Sequence, residues 1–561
     1  MNNDQPHWFW GPVFARKSLY GQVILASIFI NIFALVSAFY IMTVYDRVIP
    51  NDATESLTAL TVGVLVIVFF DFVMKTLRGR FTDEAGAGID RDVGEKLFDH
   101  LSRNYQLTSQ RQVGAVATTV REFEQLKEFI SSASFTAFAD FPFVLLFLLV
   151  LWNLGGPIAA VPAIIVVAVV LIGILVHPFI RHMSKKNLGE AQSKQGVLVE
   201  LLNGMETVKS LPGLSLLRER WLDSVSKQAE HGGKVKGLSQ IATNAAQTGQ
   251  QLCQVGVVAY GVILIADGTL TMGSLIACVI LGGRTLAPLA QITGLLSRYS
   301  QASNAYKALD QMFAEVDPEQ AAQNYVRRAD APGTLAFKGV TLTYPKAGRS
   351  ALSAIDFNLG AGQHLGVLGS IGSGKTTILR LATGLVDPTE GQILVGDVDV
   401  RHWHPDDLRR QIAVVSQTPT LFTGTVVENI RLGNPEATDD EILAAAELAG
   451  VTEFTNQLES GMDTHLFERG AQLSGGQRQA ICIARAIVAD PKIIIMDEPT
   501  SSLDNAAEQR LVAKLKDWVK DRTLVVITHR APMLALVEHL MVLEDGKIQR
   551  SGPKEKMVKS A

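Results

Sequence analysis

Gly369-Ser370-Ile371-Gly372-Ser373-Gly374-Lys375-Thr376-Thr377 sets glycines, a lysine and hydroxyls at the spacing of a phosphate-binding loop. The stretch follows an apolar run, Leu365 to Leu368, and leads into a helix-like run from Ile378. Glycines let the backbone fold tightly and aim its N–H groups at phosphate oxygens. Lys375 can then reach the terminal phosphates as a point charge, and the Thr376 hydroxyl can ligate Mg²⁺. Two further stretches lie downstream. One is Leu473-Ser474-Gly475-Gly476-Gln477; the other is the apolar run Ile493 to Met496, ending in Asp497-Glu498.

Together these stretches resemble the ABC ATPase family, and the likeness runs from about Leu335 to the C-terminus. The resemblance implies a role for each matching residue. Tyr344 stacks on adenine, and Gly369 to Thr377 hold the phosphates. Gln417 senses Mg²⁺ and the attacking water, and it joins Thr376 and Asp497 around the metal. Glu498 is the general base and His529 the switch histidine on the γ-phosphate; these two are the expected catalytic residues. Ser501-Ser502-Leu503-Asp504 matches the loop that communicates between subunits, and Asp504 is counted with the nucleotide site. The implied ligands are ATP and Mg²⁺. The set is chemically coherent, since phosphoryl transfer needs positioning, charge neutralisation and an oriented water. In this family the signature Ser474, Gly475, Gly476 and Gln477 caps the nucleotide held by a second ATPase domain. One phosphate loop and one signature occur here, so a working unit needs two copies, as a homodimer or with a different half-transporter.

The half that precedes these residues is a different material. The chain is 47% hydrophobic and 19% charged, with a mean hydropathy of +0.21. The excess sits in six stretches: Leu19 to Val44, Ser56 to Met74, Phe129 to Trp152, Leu154 to Val176, Gly237 to Ala266 and Gly268 to Ser297. About 20 apolar residues cross a bilayer, so each reads as a transmembrane helix. Buried soluble helices are the alternative for the second and fifth. The first is too long for a cleaved signal peptide, and no small-residue cleavage site follows it. Arg284, about ten residues into the last stretch, should face the central pathway or an acidic partner, for which Asp71 and Asp140 are the candidates.

Basic residues set the orientation. Lys75 to Glu128 and Arg181 to Lys236 are rich in Lys and Arg, whereas the short opposite loops carry a single Arg among them. The two long intervals and both termini are therefore expected in the cytoplasm. The intervals read as membrane helices running on into the cytosol, the mark of an exporter-type ABC membrane domain. Each should carry a short transverse helix touching the ATPase, near Gly114 to Phe123 and Met205 to Ser210. Glu468-Arg469-Gly470 resembles the exporter loop that receives them.

The expected fold is thus a membrane α-helical domain of six transmembrane helices (residues 1–320), a linker (321–334) and a cytosolic α/β P-loop ABC ATPase domain (335–561). Cys253, Cys278 and Cys482 imply no disulfide framework. A net charge of −4 gives no sign of nucleic-acid binding. His7-Trp8-Phe9-Trp10 suits a membrane interface, with Arg16 and Lys17 at headgroup level. That start, Phe39 to Asn51, and Gly282 to Gln291 are similar to type I secretion permease/ATPases of the RTX-exporting group, here without room for an N-terminal peptidase-like domain. The resemblance implies a secreted protein as cargo, a periplasmic adaptor, an outer-membrane channel and a place in a Gram-negative inner membrane. An exporter of lipids or small amphiphiles shares every ATPase motif and stands as the alternative.

Overall fold

Four helices of the first half are too long to be confined to a bilayer. They are Thr54–Arg103, Ala160–Asn203, Leu214–Ala266 and Met272–Ala314, of 50, 44, 53 and 43 residues. At about 1.5 Å per residue they extend roughly 65–80 Å, against a hydrocarbon core of about 30 Å. The computed structural model describes residues 7–104, 113–131, 133–314, 325–328, 330–344 and 348–558. They fall into two units, Met1–Asp317 and Pro318–Ala561.

The first unit is all helix. After α1 (Trp10–Ala15) come α2 (Lys17–Thr43), α3 (Thr54–Arg103), α4 (Val113–Ser131), α5 (Ala133–Asp140) and α6 (Phe143–Gly155). Then follow α7 (Ala160–Asn203), α8 (Met205–Ser210), α9 (Leu214–Ala266) and α10 (Met272–Ala314). Among the described residues five helical stretches are long and apolar enough to cross a membrane. One of them, Val116–Asn203, contains both the third and fourth apolar segments, divided by the 3₁₀ turn Gly156–Ala159.

Three expectations need correction. The third apolar segment is not one continuous helix: Phe141 and Pro142 separate α5 from α6, because proline lacks the N–H and disfavours helical geometry before it. The first transverse stretch lies inside the 19-residue α4 and is not a short element, whereas the second is the six-residue α8 as expected. Of the N-terminal aromatics, Trp8 and Phe9 are taken up in packing, while Trp10 stays exposed. Trp8 stacks on Phe313 at 4.7 Å and donates to Asp310 at 3.0 Å, and Phe9 is buried.

The proposed acidic partners of Arg284 are also engaged elsewhere. Asp140 receives the Arg78 guanidinium at 3.1 Å and the Asn31 amide at 3.0 Å, with Ser27 accepting from Arg78 at 3.1 Å. Asp71 pairs with Lys75 at 2.6 Å. Arg284 is exposed and makes no hydrogen bond or ion pair among the described residues. Asp46, in the π-helical turn Val44–Val48, caps the start of α10 by accepting from Thr271 Oγ1 at 2.6 Å and from the Gly273 N–H at 2.8 Å.

The second unit holds two main sheets. Strands β1 (Leu335–Leu342), β2 (Leu352–Leu359), β4 (Glu390–Val395) and β5 (Val398–Asp399) form an antiparallel sheet in the order β2-β1-β4-β5. The other is built from β3 (His364–Gly369), β6 (Ile412–Val415), β9 (Ile493–Asp497), β10 (Thr523–Ile527), β11 (His539–Glu544) and β12 (Lys547–Pro553), in the order β12-β11-β3-β10-β9-β6, while the short β7 (Gly424–Thr425) and β8 (His465–Leu466) pair with each other. All neighbours in it are parallel except β11 with β12. Both faces are covered. Ile493 and Ile495 enter one apolar core with β1 and β2, while Ile494 and Met496 enter the other. That two-sided burial explains the unbroken apolar run in β9. Of the expected linker, Val326 bridges Trp403 within this unit.

Candidate nucleotide site

Parallel strands bring their carboxyl ends to one edge, and open α/β sheets bind ligands there. The register pairs Ile527 with Val367 on one side and with Asp497 on the other, and Val415 with Met496. The residues leaving those ends are the phosphate loop from β3, Thr528 and His529 from β10, Asp497 and Glu498 from β9, and Gln417 from β6. Four separate stretches of sequence thus converge because their strands are neighbours.

The loop turns from β3 into α11 (Lys375–Ala382). Gly374 has a φ of +100°, and a Cβ there would lie 2.5 Å from Leu352 Cδ2. Only glycine accepts both conditions. Lys375 folds its ammonium back onto the carbonyls of Gly369 and Ser370, at 2.5 and 2.9 Å. Ser373 Oγ is buried with no hydrogen-bond partner, a polar atom whose desolvation is otherwise uncompensated. Ile371 is fully exposed, so its side chain contributes nothing to the cradle.

Thr376 Oγ1 donates to Asp497 Oδ2 at 2.8 Å, joining the loop hydroxyl to the strand carboxylate. Asp497 is 3% exposed, and burial raises its pKa against the smaller lowering effects of the Thr376 hydrogen bond and of Lys375. A buried carboxylate beside a hydroxyl and an oxygen-lined loop suits a hard divalent cation, which replaces the lost hydration. An orphaned serine hydroxyl and a lysine resting on loop carbonyls suit an anion. The residues fit Mg²⁺ and a nucleoside triphosphate.

Glu498 sits at φ +47°, left-handed backbone for a non-glycine residue, which costs on the order of 1–3 kcal/mol. Its N–H donates to Ile527 O at 2.8 Å, and its Oε2 accepts from Thr528 Oγ1 at 3.2 Å, so backbone and side chain are both held. His529 and Gln417 are exposed and make no hydrogen bonds among the described residues. Tyr344 lies beside α11, its hydroxyl 3.5 Å from Thr377 Oγ1 and 3.3 Å from Arg380.

The signature is placed apart from this loop. Ser474 caps α12 (Gly475–Val488): its Oγ accepts from the Gln477 N–H at 3.2 Å, and its own N–H donates to Gln477 Oε1 at 2.8 Å. Gln477 thereby serves the helix terminus. Among the described residues no hydrogen bond links Leu473 to Gln477 with Gly369 to Thr377. Instead the signature glycines meet the 501–504 loop, where a Cβ on Gly476 would lie 3.0 Å from Leu503. Ser474, Gln477, Ser502 and Asp504 share a cleft of about 270 Å³. Asp504 caps α13 (Asn505–Trp518) by accepting from the Ala507 N–H at 2.8 Å.

Sequence reasoning missed what fixes that loop. Arg530 donates to Ser501 O at 3.3 Å, Leu503 O at 3.2 Å and Glu508 Oε2 at 2.9 Å, and Thr500 Oγ1 donates to Glu508 Oε1 at 2.6 Å. Nothing in the spacing of Thr500, Glu508 and Arg530 announces this cluster. Thr528 could have been noticed as the hydroxyl beside His529. Arg485, half-buried on α12, donates to Thr420 O and Asn429 O at 3.0 and 2.8 Å and was likewise unmarked.

Fold and site together define an ATP-driven membrane transporter with its membrane and ATPase regions in one chain. The "ABC transporter transmembrane region" matches residues 21–285 and "ABC transporter" matches residues 352–501. The chain belongs to the ABC exporters and is homologous to toxin-translocation ATP-binding proteins. It is 28% identical to leukotoxin translocation ATP-binding protein LktB of Mannheimia glucosida, over 99% of this chain and 78% of that one. It is 29% identical to toxin RTX-I translocation ATP-binding protein of Actinobacillus pleuropneumoniae, over 98% and 78%. A bacterial Atm1-family ABC exporter with ATP bound shares the fold, with a TM-score of 0.86 at 23% identity, covering 97% of this chain and 96% of that one. The chain is an ATPase coupled to transmembrane transport.

Proposed function

We propose that this exporter is the permease/ATPase of a type I secretion system, moving a protein across the inner membrane as a homodimer. The likeness to two toxin-translocation proteins over nearly the whole chain carries the reading. Residues 1–320 form the membrane domain, 321–334 the linker and 335–561 the ATPase, with the ATPase and both termini cytoplasmic, as the Lys/Arg-rich intervals favour. A periplasmic adaptor and an outer-membrane channel complete the conduit.

ATP supplies the phosphoryl group whose transfer to water drives the cycle. The loop N–H groups, Ser373 and Lys375 hold its phosphates, Thr376, Asp497 and Gln417 hold Mg²⁺, and Tyr344 supports the base. Lys375 exchanges its loop carbonyls for phosphate oxygens. Glu498, steadied by Thr528, orients water and takes its proton at the carboxylate, and His529 faces the terminal phosphate. The second copy's signature closes the site, consistent with a signature free of its own phosphate loop.

The test is reconstitution in cells carrying an adaptor and channel. Wild-type chain should place an unfolded Gly/Asp-repeat protein in the medium, and Glu498→Gln should abolish this. Small amphiphiles that stimulate the ATPase, with no protein exported, would replace this reading with the lipid or amphiphile exporter.

A further inference from the structure

Glu498 and Thr528 are the first residues beyond two neighbouring strands, β9 and β10. Register sets them side by side: Asp497 pairs with Ile527, and the Glu498 N–H donates to Ile527 O at 2.8 Å. Thr528 is fully buried, and both halves of its hydroxyl are used. The oxygen accepts from the Arg530 N–H at 3.1 Å. The proton goes to Glu498 Oε2 at 3.2 Å, since a carboxylate only accepts. The other carboxylate oxygen, Oε1, makes no hydrogen bond among the described residues.

That contact belongs to a closed ring of hydrogen bonds. Glu498 O accepts from the Ser501 N–H at 3.2 Å, and Ser501 O accepts from the Arg530 guanidinium at 3.3 Å. The Arg530 N–H then returns through the Thr528 hydroxyl to the Glu498 carboxylate. Both the carbonyl and the carboxylate of Glu498 are thus tied to the 501–504 loop. The Arg530 guanidinium is clamped in turn by Leu503 O and Glu508, at 3.2 and 2.9 Å.

We infer that Thr528 is a positioning residue for the base. It pins Oε2, leaves Oε1 as the oxygen that takes the proton of water, and makes the aim of the carboxylate depend on where the 501–504 loop sits. The inference rests on the reading of Glu498 as base.

The last torsion of a glutamate is broad, so a carboxylate with both oxygens free presents either one at many angles. A pinned carboxylate is already aimed. As the water oxygen bonds the terminal phosphorus and the bond to ADP breaks, the water proton passes to Oε1. Aiming of this kind acts on the transition state, so it changes turnover more than nucleotide binding. The competing role for the hydroxyl is structural, as an acceptor that merely fixes the turn at Arg530.

The test uses full-length protein in lipid nanodiscs, with steady-state MgATP hydrolysis beside hydrogen exchange over residues 500–511. Thr528→Val keeps the side-chain shape and removes the hydroxyl; Thr528→Ser keeps the hydroxyl. In Thr528→Val kcat should fall about tenfold, the loss expected of one hydrogen bond to a charged group. KM for ATP should stay within about twofold, and Thr528→Ser should return kcat to within about threefold of wild type. Protection of the loop in Thr528→Val should stay within about threefold of wild type, because the Arg530 guanidinium still holds it. Added to Glu498→Gln, Thr528→Val should lower the residual rate less than about twofold, and its loss combined with Arg530→Gln should be less than multiplicative. Wild-type turnover in Thr528→Val beside an inactive Glu498→Gln would overturn the inference and leave the base standing. Wild-type turnover in Glu498→Gln would remove the base reading itself. Loop protection lost together with turnover, or no rescue by Thr528→Ser, would make Thr528 structural and overturn the inference. Fully multiplicative losses with Arg530→Gln would overturn the link to the loop.

Discussion

Removing Arg530 should release the 501–504 loop. The carboxylate of Glu508 is 2% exposed and the Arg530 side chain 32%. In Arg530→Gln the Glu508 carboxylate keeps only the Thr500 hydroxyl. Stripping one partner from a buried ion pair costs about 3–5 kcal/mol, and the partial exposure of Arg530 puts this case near the lower end. That puts the cost at about 3 kcal/mol. Hydrogen exchange over residues 500–511 of the full-length protein measures this directly. Opening should become about a hundredfold more frequent in Arg530→Gln. ATP hydrolysis should fall in parallel, since the loop meets the signature glycines. Adding Glu508→Gln should restore most of the protection, because a neutral amide accepts the Thr500 bond without a buried charge. Exchange within threefold of wild type would refute the staple.

Burial raises the Asp497 pKa, so its contribution to folding is present below the ordinary carboxylate pKa and lost as pH rises through the folded value. Nucleotide-free Asp497→Asn should therefore melt higher than wild type at pH 7, with the gap narrowing as pH falls toward the ordinary carboxylate range, and should lose Mg²⁺-dependent ATPase activity; a lower melting temperature at pH 7 would contradict this. Glu498→Gln should bind ATP normally and hydrolyse it about 10²–10⁴-fold more slowly, whereas Lys375→Ala should fail at binding. Equilibrium nucleotide binding beside turnover separates the two, and wild-type turnover in Glu498→Gln would remove its assignment as base. Arg78→Gln strands the half-buried Asp140 and should destabilise the membrane unit by about 3 kcal/mol, with Asp140→Asn as the rescue. Thermal unfolding in detergent reads this, and equal stability of all three proteins would show the pair to be dispensable.

Sequence alone determined the ATPase parts list, because each part is a local pattern with its own chemistry. Gly369 to Thr377 specify a phosphate loop wherever they fold, and the apolar run ending in Asp497 reads as a buried strand. The apolar segments of the membrane half were legible for the same reason, since a bilayer imposes a length on contiguous residues. The tertiary structure decided whatever depends on pairing between distant stretches. Only the strand order places Gln417, Asp497, Thr528 and the phosphate loop along one sheet edge. Only packing shows that Gln477 is occupied in capping its own helix, and that Glu508, Thr500 and Arg530 fix the 501–504 loop. In the membrane unit, Pro142 was visible but its break in the third segment went unread, while the pairing of Asp140 with Arg78 was beyond the sequence. Charge and polarity are properties of a residue and can be read in order. Which neighbour satisfies them is fixed by the packing of helices and strands far apart in the chain.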